Sequence, residues 1–227
     1  MDEEGLSAVK LIDVWKSYHP GESVLRGINL EVDIGSFISI RGKSGAGKST
    51  LLRIIGLLDS PTRGRVILLG QDFSEMSDDE ASTLRLRHIG FIFQFFNLIP
   101  SLTVLENIEL PMALAGVDKS LRRKRALELL NRFGMQGLAD KFPSQLSGGE
   151  QQRVAVLRAL ANKPDIILAD EPTASLDEEN SQLLLELFRE INEEELVTII
   201  LTTVSHEEKL PTHHDYLLKN GRIHLLR

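Results

Sequence analysis

Alternating apolar and polar positions near the start of the chain predict β-strands. The strands predicted in this part lie at residues 9–18, 24–32, 37–41 and 65–69. A turn at Gly21 separates the first two, which is typical of antiparallel strands at the edge of a mixed sheet. The third strand runs directly into a glycine-rich loop, and helical periodicity follows at residues 49–58. This order of strand, loop and helix indicates an α/β fold.

The middle of the chain has only helical patterns. No convincing strand pattern occurs between Thr103 and Ala161, whereas strands are predicted again at residues 166–169 and 197–202. We therefore expect one domain in which a helical subdomain is inserted into an α/β core. The predicted ranges are 1–227 for the domain, 1–93 and 163–227 for the core, and 94–162 for the helical subdomain.

Local signals predict three further features. Ser77 and Thr103 are each followed three residues later by a Glu, which is the pattern of a capping box at a helix start. Near the end of the chain, Asn220-Gly221 separates two apolar segments, and both residue types tolerate the positive φ of a tight turn. We predict helices that begin at both capping boxes and a β-hairpin at residues 216–226.

Composition and charge exclude several classes of protein. Of the 227 residues, 42% are hydrophobic and 26% are charged, as expected for a packed globular protein and not for a disordered one. The net charge of −7 gives no positive field for a polyanion, so we expect no nucleic-acid partner. No apolar run approaches the roughly 20 residues that a membrane-spanning helix needs. An acidic start and the absence of cysteine argue against a secretory signal and disulfides, and a cytoplasmic location is expected.

The glycine-rich loop is the strongest candidate for a functional site. The loop and the start of the following helix comprise Gly42, Lys43, Ser44, Gly45, Ala46, Gly47, Lys48, Ser49 and Thr50. Between a predicted strand and a predicted helix, this pattern is that of a phosphate-binding loop, and an ordinary glycine turn is the weaker alternative. Glycines let backbone N–H groups converge on phosphate oxygens, while the helix N-terminus and Lys48 add positive charge. Ser49 supplies a hydroxyl for Mg²⁺.

Two acidic residues end the apolar strand pattern at residues 166–169. A carboxylate in this position is expected where a protein must reach the metal of a bound nucleotide, so Asp170 is the candidate on the metal side. Glu171 points elsewhere because side chains alternate along a strand, and it can orient and deprotonate an attacking water. The alternative is a helix-capping or surface pair of acids.

A third motif comprises Ser147, Gly148, Gly149 and Glu150, directly before a helical pattern that continues to about Ala161. A serine and glycines at a helix N-terminus can hold an anion. The motif therefore predicts a second phosphate-binding site.

On the basis of these three motifs, the chain resembles the ATP-binding subunits of ABC transporters over nearly its whole length. Residues 42–49 match the family's Walker A motif, and residues 146–153 match its signature motif. Within the family, residues 93–100 and 102–107 are most similar to the lipoprotein-releasing and macrolide-export branch. The resemblance implies a P-loop NTPase core with an antiparallel β edge and an inserted helical subdomain. It also implies that the chain binds ATP and Mg²⁺ and hydrolyses ATP during transport.

The resemblance assigns roles to five more residues. It makes Gln94 the residue that senses Mg²⁺ and the γ-phosphate, Tyr18 the aromatic that stacks on adenine, and His206 a contact of the γ-phosphate. Taken alone, Tyr18 is more often a core residue, and a loop histidine is more often functionless. Ser175 and Asp177 match the loop that crosses to a partner's active site, although Asp177 is also a natural N-cap of the following helix.

Partners also follow from the resemblance. It implies a head-to-tail homodimer in which each signature motif closes over the ATP of the other copy, and a separate transmembrane permease subunit that the Gln94 loop faces. The expected location is therefore peripheral, on the inner face of the cell membrane. A signalling complex that moves no substrate, as in bacterial cell division, is an alternative, and a role on DNA or ribosomes is a weaker one.

Some positions depart from the family pattern. Lys43 replaces the commoner Pro or Asn of the phosphate loop, and Ser205-His206-Glu207 replaces the usual Thr-His-Asp. Neither change deletes a chemical group, so we expect activity to be kept. His213, His214 and Asp215 have no further ligands at a matching spacing, and we expect no metal site there.

Overall fold

The computed structural model describes residues 7–73, 76–205 and 209–227. Its strands are β1 (Ser7–His19), β2 (Glu22–Asp33), β3 (Phe37–Arg41), β4 (Arg63–Leu68), β5 (Gln71–Asp72), β6 (Ile89–Ile92), β7 (Ile166–Asp170), β8 (Thr198–Thr203), β9 (His214–Lys219) and β10 (Arg222–Leu225). Its α-helices are α1 (Lys48–Ile55), α2 (Asp78–His88), α3 (Val104–Leu114), α4 (Lys119–Arg132), α5 (Gly148–Leu160) and α6 (Glu178–Glu195). Short 3₁₀ helices at Gln136–Leu138 and Pro143–Gln145 lie between α4 and α5.

The described strands form two sheets with different pairing. The first has the order β10-β9-β3-β8-β7-β6, is parallel from β9 to β6, and pairs β10 antiparallel with β9. The second is antiparallel, in the order β2-β1-β4-β5. The predicted α/β class, with a mixed sheet and an antiparallel β edge, is confirmed.

The core lies on both faces of the parallel strands. Along β7, Ile166 and Leu168 pack into a cluster with α1 and the antiparallel sheet, whereas Ile167 and Ala169 pack into a cluster with the helices α3 to α6. Burying an isoleucine or leucine side chain contributes roughly 1.5–3 kcal/mol. Both faces of the parallel strands are therefore covered, and the loops at the carboxyl ends of these strands emerge along one edge of the sheet.

The segment between Thr103 and Ala161 contains helices and no strand, as predicted. Helix α3 packs against both α4 and α5, and their buried residues share one apolar cluster with the parallel sheet. No helix in the described ranges has both the length and the apolar character needed to span a bilayer.

Most predicted boundaries agree with the structure, but α1 is shorter than expected. The capping boxes at Ser77 and Thr103 both form and begin α2 and α3. The predicted hairpin is also present, and Asn220 and Gly221 have φ of 52° and 75°. The helix predicted at residues 49–58 instead spans Lys48–Ile55. Its end follows from the next residues, because Gly56 caps it and Leu57 turns the chain with φ 58°.

Candidate functional site

The phosphate loop joins β3 to α1 and depends on its glycines. Gly45 and Gly47 have φ of 76° and 101°, a region that favours glycine. A Cβ at Gly42 would lie 2.7 Å from the Leu218 carbonyl oxygen, and one at Gly47 would lie 3.0 Å from Val24 Cγ1. The backbone therefore curls closely against β2 and β9, and its N–H groups and the N-terminus of α1 form a concave anion site.

Lys48 is the buried cation of this loop. Its side chain is 3% exposed, and Nζ donates hydrogen bonds to the carbonyl oxygens of Gly42 at 2.8 Å and Lys43 at 3.1 Å. The same nitrogen lies 3.0 Å from Glu171 Oε1. Loop carbonyls thus fix the ammonium group, and its charge is balanced by the carboxylate of Glu171.

The two acids at the end of β7 point to different partners, as the sequence predicted. Asp170 Oδ1 accepts a 2.7 Å hydrogen bond from the Thr202 hydroxyl on β8, whereas the Glu171 carboxylate pairs with Lys48. Glu171 has φ 48°, so the extended backbone of β7 ends at Asp170. The Glu171 N–H donates to the same Thr202 oxygen at 3.1 Å. A single hydroxyl therefore positions both acids.

Several predicted residues meet in one cavity of about 310 Å³. Its lining includes Ser44, Gly45, Gly47, Lys48, Ser49, Thr50, Gln94, Asp170 and Glu171. Gln94 reaches it from the loop after β6, which ends at the same edge of the sheet as β3 and β7. The cavity therefore combines backbone N–H groups and a lysine for phosphates with hydroxyl, amide and carboxylate oxygens for a hard cation. Lys43 and Ala46 of the loop line a neighbouring cavity instead.

Tyr18 does not line this cavity. It lies at the end of β1 with 52% of its surface exposed. Its hydroxyl donates to Asp59 Oδ2 at 2.8 Å, and Lys16 Nζ lies 4.9 Å from the ring centroid. Burial acts to raise the pKa of Asp59, but hydrogen bonds from Lys16 and Tyr18 outweigh it and hold that pKa below its ordinary value. The contact between Tyr18 and adenine stays a prediction.

The Ser147 motif begins α5 and does not line the phosphate-loop cavity. The Ser147 side chain accepts a hydrogen bond from Glu150 N at 3.2 Å, and Glu150 Oε2 accepts one from Ser147 N at 2.7 Å. The hydrogen bond from the Ser147 backbone is the main cause that lowers the pKa of Glu150. This third capping box was missed in the sequence, although its serine and glutamate have the required spacing. Ser147 and Gly148 are exposed, so this helix start is open to a ligand or a second chain.

The loop before α6 contacts two other parts of the chain. One is α5, called here the signature helix, and the other is the loop after β6, called here the Gln94 loop. Asp177 is the N-cap of α6, as predicted, and accepts a hydrogen bond from Asn180 N at 2.8 Å. Ser175 Oγ donates to the Gln94 carbonyl oxygen at 3.1 Å. A Cβ at Gly149 would lie 2.2 Å from Asn180 Oδ1, so glycine lets α5 and α6 approach closely without displacing the Asn180 side chain.

The histidines have separate outcomes. His206, the predicted γ-phosphate contact, lies outside the described residues. His213 Nδ1 accepts a 2.8 Å hydrogen bond from Phe37 N and thus joins the chain before β9 to β3. Asp215 is buried in β9, which acts to raise its pKa, but hydrogen bonds from Ser39 and Thr212 and the charges of two arginines lower it overall. These contacts give His213 and Asp215 structural roles.

Comparisons with known proteins agree with this geometry. Residues 25–174 match the protein family described as ABC transporter. The chain is 45% identical over 205 residues to the lipoprotein-releasing system ATP-binding protein LolD of Aquifex aeolicus, covering 89% of this chain and 90% of that protein. It is 44% identical over 224 residues to the macrolide export ATP-binding/permease protein MacB of Brucella melitensis, covering 96% of this chain but 34% of that protein.

A solved structure extends the similarity to the fold. The post-hydrolysis dimer of the ATP-binding cassette MJ0796, bound to ADP and phosphate, superposes with a TM-score of 0.86 and 44% identity. The superposition covers 96% of this chain and 99% of that chain. The chain therefore belongs to the ABC transporter family. Within the family it is an ATP-binding subunit and an ATPase, of the branch that includes LolD and MacB.

Proposed function

We propose that the chain hydrolyses ATP as a head-to-tail homodimer and thereby drives a conformational change in a separate transmembrane permease. The observation that carries the proposal is the division of phosphate-binding elements within one chain. Lys48, Ser49, Asp170 and Glu171 share a cavity, whereas Ser147 lies outside it at an exposed helix start. A second copy is the simplest source of a signature motif for each cavity, and the similar MJ0796 cassette is a dimer bound to ADP and phosphate.

The cavity fits ATP with Mg²⁺. Gly42 and Gly47 let the loop lie close against β9 and β2, and a glycine-rich loop before a helix lets backbone N–H groups surround phosphate oxygens. Ser49, Gln94 and Asp170 offer hydroxyl, amide and carboxylate oxygens, which are the ligands that Mg²⁺ prefers. The bound cation would supply charge neutralisation of the β- and γ-phosphates. His206 is proposed as a further γ-phosphate contact, and Tyr18 as the platform for adenine.

The ion pair between Lys48 and Glu171 suggests how ATP binding prepares the site for hydrolysis. Phosphate oxygens compete with the Glu171 carboxylate for the Lys48 ammonium, because both are anions at the same nitrogen. Once Lys48 contacts phosphate, Glu171 is free to accept a hydrogen bond from water. In the hydrolysis step, the water oxygen bonds to the γ-phosphorus, Glu171 accepts the water proton, and the bond to the ADP oxygen breaks.

The surface beside the Gln94 loop is the proposed docking site for the permease. A groove of about 300 Å³ lies between the core and the helical segment and includes Phe91, Phe93 and Leu114 in its lining. Leu114 is 68% exposed, and Phe95 in the adjacent loop is 73% exposed. Large exposed apolar side chains beside a groove are typical of a protein-binding surface. An amphipathic helix of the permease would bury them and place this chain on the inner face of the membrane.

The type of transport is inferred from the names of the relatives, whereas the domain division is inferred from the order of helices and strands along the chain. MacB is named as both an ATP-binding and a permease protein, and LolD as the ATP-binding protein of a lipoprotein-releasing system. We infer an exporter or a lipoprotein- or macrolide-type system. Residues 94–162 would move as the helical subdomain against the core of residues 1–93 and 163–227.

Replacement of the base tests the proposed chemistry. In Glu171→Gln, the amide cannot accept the proton of water, so the rate of phosphate release should fall about 100-fold or more. The affinity for MgATP, measured with a fluorescent analogue, should stay equal or increase. The substitution removes the Glu171 carboxylate, which competes with phosphate for Lys48. Phosphate release at the wild-type rate would contradict the role of Glu171.

A further inference from the structure

The loop that carries Gln94 is held by a half-buried arginine of the signature helix, α5. Arg158, on the last turns of α5, donates from Nη2 to the Phe96 carbonyl oxygen at 3.0 Å and from Nη1 to the Asn97 carbonyl oxygen at 2.5 Å. A planar guanidinium is suited to grip two adjacent carbonyls in this way. Burial lowers the pKa of Arg158 below its ordinary value, so the charge is placed there at an energetic cost.

The backbone that Arg158 holds has an unfavourable conformation. Phe96 and Asn97 have φ of 53° and 49°, and two consecutive non-glycine residues in the left-handed region are rare. Such a conformation persists only where surrounding contacts hold it. The two hydrogen bonds from Arg158 act on these two residues.

A second side chain of the same helix holds the other side of Gln94. Gln152 is fully buried on α5, and its Nε2 donates to the Phe93 carbonyl oxygen at 3.3 Å and to the Pro172 carbonyl oxygen at 2.9 Å. Phe93 directly precedes Gln94, and Pro172 directly follows Glu171. The helix that begins at Ser147 is therefore bonded to the backbone on both sides of Gln94 and next to Glu171.

We propose that Arg158 is a positioning residue that locks the Gln94 loop to the signature helix, so that a movement of α5 carries Gln94 with it. The proposal rests on the proposed function, in which ATP and a second copy act on the start of α5. Arg158 also lines the groove proposed for the permease, together with Phe93 and Leu114. Pressure on that groove would then reach Gln94 through the same two hydrogen bonds. Gln152 assists by holding Phe93.

Asn162 provides a matched control. It lies just beyond α5, and its Nδ2 donates to two main-chain carbonyl oxygens, of Leu86 at 2.7 Å and Pro111 at 3.1 Å. Like Arg158 it lines the groove, but neither of these bonds reaches the Gln94 loop. Asn162→Ala therefore loses two hydrogen bonds at the end of α5, as Arg158→Met does, without affecting the position of Gln94.

Activity measurements on the purified chain, with no permease bound at the groove that Arg158 and Asn162 line, test the proposal through a double-mutant cycle. Arg158→Met should lower kcat about 10-fold or more, because Gln94 is misplaced, while MgATP affinity changes less than about two-fold. Arg158→Lys, which keeps the charge and one reachable carbonyl, should recover part of kcat. In a Gln94→Ala background, Arg158→Met should have little further effect, because both changes remove the same function. The proposal would be overturned if Arg158→Met lowered kcat by the same factor with and without Gln94→Ala. It would also be overturned if Asn162→Ala lowered kcat as much as Arg158→Met does.

Distance measurements test it without any activity. The chain has no cysteine, so spin labels can be placed at Phe95→Cys in the loop and Leu121→Cys on α4, two exposed positions. The distribution of distances between the two labels should be narrow in the parent, which is the labelled chain with no further substitution, and in Asn162→Ala. It should be broad in Arg158→Met. A distribution that stays narrow in Arg158→Met would refute the lock. A parent chain that does not hydrolyse ATP would instead contradict the proposed function and leave this distance test valid.

Discussion

At the scale of single residues, the site depends on a few contacts at the end of β7. Glu171 adopts φ 48°, a conformation that costs roughly 1–2 kcal/mol for a non-glycine residue. The Thr202 hydroxyl, which accepts from the Glu171 N–H and donates to Asp170, supports this conformation. The same hydroxyl thereby separates the proposed metal ligand from the proposed base.

Replacement of this hydroxyl should therefore reduce both stability and activity. Thr202→Val keeps the shape of the fully buried side chain but leaves the Glu171 N–H without its acceptor, at a cost of about 1–3 kcal/mol. The rate of ATP hydrolysis should fall up to about 100-fold, because Asp170 and Glu171 lose their alignment. Urea unfolding and phosphate-release assays measure the two effects.

A threonine on the same strand serves as the control. The Thr198 hydroxyl accepts a 2.9 Å hydrogen bond from Gly35 N at the opposite end of β8 from the acids. Thr198→Val should lose comparable stability with little loss of activity. An equal fall of activity in both variants would mean that Thr202 acts only through stability.

At the scale of elements, helix starts combine folding and function. The capping box at Ser147 begins α5 and also presents the motif proposed to contact the ATP of a partner. The capping box at Ser77 begins α2 with the same hydrogen bonds and has no residue in the phosphate-loop cavity. These two serine caps are chemically alike, and the one at Ser147 has a proposed function in addition.

Substitution of the two caps should separate these roles. Ser147→Ala and Ser77→Ala should each lower the free energy of unfolding by roughly 0.5–2 kcal/mol, because each loses a side-chain hydrogen bond to the helix. Only Ser147→Ala should also lower the rate of ATP hydrolysis, measured at saturating MgATP. Equal hydrolysis rates in the two variants would argue against a role of Ser147 in the partner's site.

The features that the sequence predicted well are local ones. The phosphate loop, the acids after β7 and the caps of α2 and α3 depend on residues close together in the chain, so their patterns are readable. The contacts of Thr202 and Arg158 were missed because they join segments 31 and 61 residues apart. The early end of α1 was missed because an apolar Leu57 fits the helical pattern, although its backbone turns away from the helix. For the contacts of Thr202, a polar residue at the end of an apolar strand was the one signal that the sequence offered.

At the scale of the whole molecule, the proposed function needs two interfaces. One is the docking groove for a permease, and the other is the contact between a phosphate-loop cavity and the signature helix of a second copy. The groove lies where the Gln94 loop meets α3 and α5, so a partner bound there would contact Arg158. The two interfaces would therefore act on the same helix.

The groove can be tested with a charge on its exposed rim. Leu114→Glu should abolish copurification with the membrane protein that binds the wild-type chain, because a carboxylate in an apolar interface is costly to desolvate. Leu121, 60% exposed on α4 and absent from the groove lining, provides the control. Leu121→Glu should keep the association, and loss of it in both variants would argue against docking at this groove.

The central claim is that a second copy completes each ATP site, and the molar mass of the Glu171→Gln variant in solution tests it most directly. By light scattering, this variant should have the mass of two chains with MgATP and of one chain with MgADP. Adding Ser147→Arg should keep MgATP binding and return the mass to one chain, because the arginine side chain blocks the helix start. A mass of one chain for Glu171→Gln at saturating MgATP, with nucleotide bound, would contradict the account.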